Sequence, residues 1–224
     1  MLILKNKRPS ILATLAAAAL LLVASEQSAM AFGKKPVTPP SDPGLEVRAR
    51  WESKNRDGAA WSQYVYNQLP VLGASILARN PADITTFCAN YGNLNTYDKK
   101  NFWVYMLSAM SELESGQDPT QSYTEAFNDA NGNRVVSRGL LQISIESANS
   151  YGCGFTAASQ LHDPQRNLAC GLRILNRWIG SDGVVSGKSG TAWRGGARYW
   201  AVLRKEANLA KITGWTQALR ICTR

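Results

Sequence analysis

Two glutamates in one amphipathic segment, Glu112 and Glu114, could take part in acid–base chemistry in different ways. On a helical wheel of residues 98–114, with Phe102 at zero, the apolar side chains fill an arc from about 340° to about 140°. Glu114 falls at about 120°, inside this arc, whereas Glu112 falls at about 280°, outside it. Burial and the negative end of the helix dipole both disfavour a carboxylate at position 114, so its pKa should rise.

A glutamic acid that stays protonated near neutral pH is what a general acid needs in order to protonate a glycosidic oxygen. The alternative is that Glu114 lies at a frayed helix end with its carboxyl in water. His162 is the only histidine, so a zinc site with several histidines is excluded, and a Ser-His-Asp triad could form only around this residue. We interpret His162 as a helix-entry residue and expect any catalysis to depend on carboxylates.

A metal site has weak support in the sequence. Asp129, Asn131 and Asn133 have the spacing that begins a calcium loop. Arg134 occupies the position of the required glycine, and Leu140 occupies the position of the closing glutamate. We therefore predict no calcium site, no other metal and no cofactor.

Residues 1–31 have the parts of a secretory signal peptide. Basic residues precede an apolar run from Ile11 to Ala24, and Ala-Met-Ala at 29–31 supplies small residues for cleavage. The apolar run is shorter than the roughly 20 residues of a membrane-spanning helix, which disfavours a membrane anchor. We expect an exported protein, periplasmic or secreted, without stable membrane insertion after signal removal.

The mature chain should keep a basic excess. The whole sequence has a formal charge of +9, and the signal segment holds three basic residues and one acidic residue, which leaves +7. Such a protein suits an anionic polymer such as cell-wall material. The basic residues are scattered in runs no longer than two, so we expect no nucleic-acid partner.

All four cysteines follow the signal segment, and an even number in an exported chain indicates two disulfides. Three pairings are possible. Cys153 and Cys170 are close in sequence, so the favoured arrangement is Cys153–Cys170 with Cys88–Cys222 tying the C-terminus back. A metal site is the alternative, but the paired spacing that zinc would require is missing.

The hydrophobic pattern predicts a mainly α protein with a small β-hairpin (α+β). A proline-rich linker or arm covers residues 32–50, and a single domain, expected to be a monomer, covers 51–224, with an N-terminal helical extension over about 51–97. Apolar spacing and caps predict helices that end before Pro70, that begin at Asn80-Pro81, and that cover 98–114, 163–180 and most of 191–222. Asn131-Gly132 between two short extended segments is the strongest hairpin signal.

Three sequence blocks then occur in order: Glu-Ser-Gly-x-Asp-Pro at 114–119, Ser-Arg-Gly-Leu-Leu-Gln-Ile-Ser at 137–144, and Asp-Pro-x-x-Asn-Leu-x-x-Gly at 163–171. Together they resemble the soluble lytic transglycosylase family and its goose-type lysozyme relatives. The usual pattern of that family is Glu-Ser-x-x-x-Pro, a Gly-Leu-Met-Gln block and a downstream Asn-Ile-x-x-Gly helix. The resemblance spans about residues 98–203 and implies a lysozyme-like fold.

By this resemblance, Glu114 is the catalytic acid/base that acts on the β-1,4 bond between N-acetylmuramic acid and N-acetylglucosamine in peptidoglycan. The matched blocks also imply substrate contacts at Ser115, Ser137, Gly139 and Gln142. Two of these contacts have a physical rationale of their own. Gly139 would let the backbone approach closely, and Gln142 offers a donor and acceptors to sugar hydroxyl or acetamido groups.

One departure from the family pattern concerns a late Ala-Tyr-Asn-Ala-Gly motif, whose tyrosine lies near the catalytic glutamate. Here the match is Ala-Trp-Arg-Gly-Gly at 192–196, followed by Tyr199 and Trp200. Trp193 has no hydroxyl to orient Glu114, so either Tyr199 takes that role or the site is built differently. Trp193 and Trp200 could stack on sugar rings or pack in the core.

The sequence thus predicts a muralytic glycosidase that works by hydrolysis or by lytic transglycosylation. Hydrolysis needs a second carboxylate, about 5 Å away for retention or about 6.5–9.5 Å away for inversion. Glu125, Asp129 and Glu146 are the candidates; without one, the substrate's own group would attack and give a 1,6-anhydro product, as in the family. Two alternatives are a lysozyme-like enzyme that acts on N-deacetylated peptidoglycan or chitosan, and a non-catalytic glycan-binding or inhibitor module.

Overall fold

A computed structural model of the chain describes residues 42–224, so the predicted signal peptide and the first part of the predicted arm lie outside the described residues. The described residues belong to one compact unit. Its α-helices are α1 (Gly58–Leu72), α2 (Ala74–Ala78), α3 (Ile84–Phe87), α4 (Thr96–Ser115), α5 (Ile145–Ser150), α6 (Pro164–Asp182), α7 (Glu206–Gln217) and α8 (Arg220–Thr223).

Two short antiparallel hairpins accompany the helices. The first joins β1 (Ser122–Asn128) to β2 (Arg134–Arg138), and the second joins β3 (Ser186–Ser189) to β4 (Ala192–Gly195). Short 3-10 turns cover Arg50–Ser53, Tyr91–Asn93, Ala158–His162, Gly196–Arg198 and Ala201–Leu203. The predicted class, mainly α with a small β element, is confirmed.

Helix α4 lies at the centre of the hydrophobic core. Asn95 caps its first turn by accepting from the backbone N–H of Asp98, and Gly116 ends it in the left-handed conformation. Seven apolar side chains of α4 are fully buried, and the larger aliphatic and phenyl side chains contribute about 1.5–3 kcal/mol of hydrophobic free energy each: Phe102, Trp103, Val104, Met106, Leu107, Ala109 and Met110. The position of α4 is therefore fixed along most of its length.

Helix α6 begins as its sequence predicts. The Asp163 side chain accepts from the backbone N–H of Arg166, and Pro164 occupies the first turn, where no N–H is needed. The helix continues two residues past the predicted end at Gly180 and stops at Gly183, which has a φ of 70°. Gly180 lies inside the helix and faces Ser75 of α2, where a Cβ would lie 2.9 Å from the serine side chain, so this glycine allows close helix packing rather than ending the helix.

Several sequence expectations differ from the structure. Helix α1 continues through Pro70 to Leu72: the proline removes one helical hydrogen bond, but the backbone N–H of Gly73 still donates to the Leu69 carbonyl at 2.9 Å and completes the last turn. The helix expected from Asn80-Pro81 is reduced to the four residues of α3. The segment from Thr191 was expected to be helical, but it contains β4 and two 3-10 turns before α7 begins.

Both predicted disulfides, Cys153–Cys170 and Cys88–Cys222, are confirmed. Two disulfides fit an exported protein, because thiols stay reduced in the cytosol. Within residues 42–224, none of the helices is both long enough and apolar enough to cross a membrane.

Candidate active site

A cleft of about 570 Å³ lies beside the C-terminal end of α4, between the first hairpin, α5 and the 3-10 segment near position 200. All its lining residues fall between positions 114 and 204. The N-terminal extension over about 51–97 therefore contributes core residues rather than cleft residues. The lining consists of Glu114, Glu125, Phe127, Asn128, Asp129, Ala130, Asn131, Val135, Ser137, Gln142, Ser144, Glu146, Ser147, Tyr199, Trp200, Ala201 and Arg204.

The loop between β2 and α5 is attached to α6 by one buried side chain. Asn167 accepts from the backbone N–H of Leu141 at 2.9 Å and donates to the carbonyls of Arg138 and Leu161 at 3.0 and 2.9 Å. At Gly139, which has a φ of 75°, a Cβ would lie 2.2 Å from the Leu161 carbonyl. Only glycine fits this position, and the close approach it allows is to the protein itself.

The same loop is tied to the end of α4. The Ser115 hydroxyl donates to the Leu140 carbonyl at 2.9 Å, and its other contact is with the carbonyl of Ser111, one turn earlier. Gln142 follows with a φ of 47°, a left-handed conformation that strains a non-glycine residue. The Gln142 side-chain amide donates to the Gln121 and Gly139 carbonyls. The bond from Ser115 attaches the loop to the helix end that carries Glu114, and both Glu114 and Gln142 line the cleft.

The first hairpin forms one wall and supplies a second carboxylate. The pairing register between β1 and β2 shifts between Thr124 and Asn128, so β1 bulges where Glu125 lies. A carboxylate oxygen of Glu125 accepts from the Ser137 hydroxyl at 2.6 Å. Phe127, two residues on, also lines the cleft and is 59% exposed, so one face of its ring is available for stacking.

The opposite wall is the 3-10 segment that follows β4. The indole N–H of Trp200 donates to the Leu141 carbonyl at 2.9 Å, and the Arg204 guanidinium donates to the carbonyls of Ala197, Arg198 and Tyr199. Because these bonds fix the segment, the backbone N–H of Val202, in the turn Ala201–Leu203, donates to the Glu114 carboxyl. An N–H in the first turn of a helix has no acceptor within that helix, so it is free for this contact.

The Glu114 carboxyl is the most perturbed acid in the cleft. Burial raises its pKa to about 7; the N–H of Val202 opposes this rise, and the negative charge of Glu125 adds to it. The Oε1 atom is buried without a hydrogen-bond partner in the described part of the chain. A proton on this carboxyl is thus available at near-neutral pH, beside a second acid.

Glu112, two residues earlier, has the opposite environment, as the wheel predicts. Its carboxylate accepts from the Arg50 guanidinium at 2.5 Å, and Lys54 lies 3.9 Å away. The hydrogen bond from Arg50 holds its pKa below the usual range. The Arg50 guanidinium also stacks over the Trp215 ring, with 3.7 Å between its central carbon and the ring centroid.

The structure brings half of the predicted substrate-contact residues into the cleft. Ser137, Gln142 and Tyr199 line it, whereas Ser115, Gly139 and Trp193 do not. Ser115 and Gly139 support the loop, as described above. Trp193 lies in β4, half-buried against the core, with Lys188 4.9 Å from its ring centroid.

Tyr199 lies close to Glu114 but bonds elsewhere. Burial raises its pKa to about 12, opposed by hydrogen bonds with the Ser147 side chain and the Ser144 backbone. Its ring contacts those of Tyr151 and Trp200, with centroids 5.9 and 4.7 Å away. Trp200 is fully buried apart from an edge at the cleft, so it acts mainly as a core residue.

The charge of the cleft lining differs from that of the chain. Four acids line it, Glu114, Glu125, Asp129 and Glu146, against one cation, Arg204. The three carboxylates proposed from the sequence as second acids are thus all present. Arg204 and Phe127 were not predicted, and no motif or spacing in the sequence marks them.

The acidic cleft shows no arrangement typical of a metal centre. An oxygen of Asp129 accepts from the backbone N–H groups of Asn131 and Asn133, which shapes the hairpin turn. Across residues 42–224, no three His, Cys, Asp or Glu side chains are grouped so that they could hold a metal ion. His162 contacts the Pro119 carbonyl at 3.0 Å, in the 3-10 turn before α6.

No family model and no curated protein matches the chain, but three solved structures do. One is Bd0314 DslA in its wild-type form 2, which is 51% identical with a TM-score of 0.76, over 79% of this chain and 98% of that chain. The chain belongs to the same family as DslA. The other two structures are glutamate-to-glutamine variants of DslA, both 50% identical with a TM-score of 0.76, over 79% and 80% of this chain and 98% and 100% of theirs. The two substituted glutamates are eleven positions apart.

Proposed function

We propose that the protein cleaves peptidoglycan glycan strands at the β-1,4 bond between N-acetylmuramic acid and N-acetylglucosamine. The observation that carries the proposal is the Glu114 carboxyl, which is desolvated in an open cleft, has a pKa raised to about 7, and keeps one oxygen without a partner. A group of this kind can hand a proton to a glycosidic oxygen as the bond breaks.

Glu125 is the second carboxylate in this proposal. Its charge raises the pKa of Glu114, so it lies within electrostatic reach across the cleft, and Ser137 orients it. Glu114 and Glu125 are eleven positions apart, the same separation as the two glutamates substituted in DslA. We therefore favour hydrolysis, with Glu125 as the base for water or as the nucleophile, over transglycosylation, which needs only one acid.

The products of purified cell-wall digestion test this reaction. We expect the parent protein to release muropeptides with reducing ends, whereas 1,6-anhydro ends, lighter by one water, would contradict hydrolysis. Mass spectrometry separates the two. The Glu125→Gln variant is the matched test of the second acid: under hydrolysis it loses activity with Glu114 intact, and under transglycosylation it retains activity. No cleavage by the parent protein would favour a non-catalytic glycan-binding module.

A second candidate substrate is N-deacetylated peptidoglycan or chitosan, and the acid-rich cleft favours it. A deacetylated amino sugar carries a positive charge near neutral pH, and Glu125, Asp129 and Glu146 would attract it. The overall basic charge of the chain disfavours a cationic substrate, but the lining of the cleft has the opposite sign. Faster cleavage of deacetylated than of re-acetylated wall preparations would support it, and equal rates would contradict it.

A further inference from the structure

A second concave surface, basic rather than acidic, lies between α1 and α6. Two adjoining hollows of about 290 and 230 Å³ share Leu72 of α1 and Arg173 of α6. We refer to them together as the arginine groove. Its remaining lining residues are Tyr64, Gln68, Val71, Tyr151, Cys153, Arg166, Ala169, Cys170, Asn176 and Arg177.

Three arginines form a row along this groove. Arg166, Arg173 and Arg177 are seven and four positions apart on α6, so they fall within about 40° of one another and extend over about 16 Å along the axis. Among the described residues, none of the three forms an ion pair, and no Asp or Glu lines either hollow. The row is therefore a concentrated positive charge without internal compensation.

Neighbouring groups hold two of these guanidinium groups in place. Arg166 stacks over Phe155 at 4.7 Å and donates to the Gly154 carbonyl, while Arg177 lies 5.3 Å from the ring centroid of Trp178. Arg173, between them, is exposed and has no hydrogen bond within the described part of the chain. Guanidinium groups that are already oriented bind carboxylates with a smaller loss of side-chain entropy.

The facing wall of the groove is apolar. The Val71 side chain is 75% exposed, more than that of any other large hydrophobic residue in 42–224. Leu72 and Tyr64, also on α1, line the same groove. A groove with a cationic wall and an aliphatic wall fits a short peptide that carries carboxylates and small apolar side chains.

The groove and the cleft meet at one layer of aromatic rings. Tyr151 lines the groove, and its ring contacts that of Tyr199, which lines the cleft. A polymer whose backbone occupied the cleft could therefore place a side branch near the arginines.

We propose that the arginine groove binds the carboxylates of peptidoglycan peptides and holds the wall while the cleft acts on the glycan. This inference rests on the proposed function, because it assigns the peptide branches of the same substrate to the groove.

The test measures binding to insoluble peptidoglycan in a Glu114→Gln background, so that cleavage does not interfere. The groove variant is R166Q/R173Q/R177Q, and the control is R56Q/R79Q/R220Q, which removes the same charge from three exposed arginines outside the groove. We expect the groove variant to bind about tenfold more weakly and the control to stay within about twofold of the parent. Equal weakening of both variants would overturn the proposal.

Two further arms identify the ligand. Blocking the wall carboxylates by amidation should weaken the parent about tenfold and leave the groove variant unchanged, whereas unchanged parent binding would overturn the carboxylate assignment. If polyphosphate competes with the wall for the protein and amidation has no effect, the groove binds a phosphate polymer instead. That result would also contradict the proposal.

Because Arg166 makes local contacts, the single R173Q variant checks that the effect does not come from misfolding. It should bind about two- to threefold more weakly with an unchanged melting temperature; parental binding by this variant would contradict the role of the row. In the active background, the groove variant should cleave short peptide-free glycans at the parental rate. Absence of cleavage by both proteins would instead contradict the proposed function and leave the binding result intact.

Discussion

Glu112 and Glu114 differ by two positions on one helix, and their carboxyls have opposite electrostatic environments. Glu112 faces Arg50 and Lys54 at the protein surface, where pairing favours its charge. Glu114 faces a cleft with Val202 as its backbone donor and Glu125 as a like charge, where burial disfavours its charge. The difference shows that the neighbours supplied by the fold, rather than the residue type, determine whether the pKa of a carboxyl is lowered or raised.

The largest expected difference between the two glutamates is in the rate of cell-wall cleavage. Glu114→Gln should lower the rate of wall cleavage by about 10²- to 10⁴-fold, because an amide cannot donate the proton. Glu112→Gln on the same helix should stay within about threefold of the parent in the same turbidity assay at 25 °C. A comparable loss of activity in both variants would mean that the substitutions disturb the end of the helix, and it would contradict a specific role for the Glu114 proton.

The two substitutions should also change stability in opposite directions at pH 8. A pKa of about 7 in the folded state against 4.5 in the unfolded state means that the folded state loses up to about 3 kcal/mol as pH rises through this window. Glu114→Gln removes this penalty and should raise the free energy of unfolding by about 2 kcal/mol at pH 8 but not at pH 4. Urea unfolding of the variant and the parent at pH 4 and pH 8 measures these free energies. If the difference between variant and parent were the same at both pH values, the raised pKa would be contradicted.

Glu112→Gln should lower the free energy of unfolding by about 1–2 kcal/mol at pH 8, because Arg50 loses its charged partner. The pKa of Glu112 is lowered in the folded state, so its contribution is present above the unfolded pKa and is lost as pH falls through the folded value. The variant and the parent should therefore converge at low pH. A difference that persists at pH 2 would attribute the effect to packing.

The pH profile of cleavage gives a smaller effect. If Glu114 must be protonated, the rate should fall above about pH 7, approaching tenfold per pH unit. Glu112→Gln should leave this limb in place, since the Glu112 carboxylate is already ionised there. A flat profile between pH 6 and pH 9 would contradict the role of Glu114 as the acid.

The smallest expected effect comes from the hydrogen bond between the Ser137 hydroxyl and the Glu125 carboxylate. Ser137→Ala removes the hydroxyl that donates to Glu125 and should lower kcat by about tenfold, or about 1.4 kcal/mol of activation free energy. Ser115→Ala provides the contrast, because its hydroxyl supports the Leu140 carbonyl outside the cleft. It should alter stability more than kcat. A rate loss of equal size in both variants would argue against a specific role for Glu125.

Features determined by local periodicity could be predicted from the sequence. The helical wheel separated Glu112 from Glu114, and Asp163-Pro164 marked the start of α6, because helix period and capping depend on nearby residues. The two disulfides followed from export and from the short Cys153–Cys170 separation. Asn131-Gly132 lies within the turn of the first hairpin, as that dipeptide predicts.

Features that depend on tertiary contacts could not be predicted. Ser115, Gly139 and Trp193 lie in or beside motif blocks, but a motif does not say toward which side a residue points. Strand β4 was missed because it is held by backbone pairing with β3, and neither this pairing nor the close approach of Gly195 to the Val184 and Val185 carbonyls is visible in the hydrophobic pattern. Glu125 reaches the cleft through a bulge in β1, which no local pattern marks.

The Cys88–Cys222 bond joins residues 134 positions apart, and every residue of the cleft lies between them. An exported protein meets proteases, and the exposed hairpin turn near Asn131 is the kind of site at which they cut. A single cut there would open the backbone without releasing a fragment, because the chain would remain one covalent piece through its disulfide. The segment that contains the cleft is therefore a closed covalent ring, in which a break in one peptide bond leaves Glu114 and Glu125 attached to the same molecule.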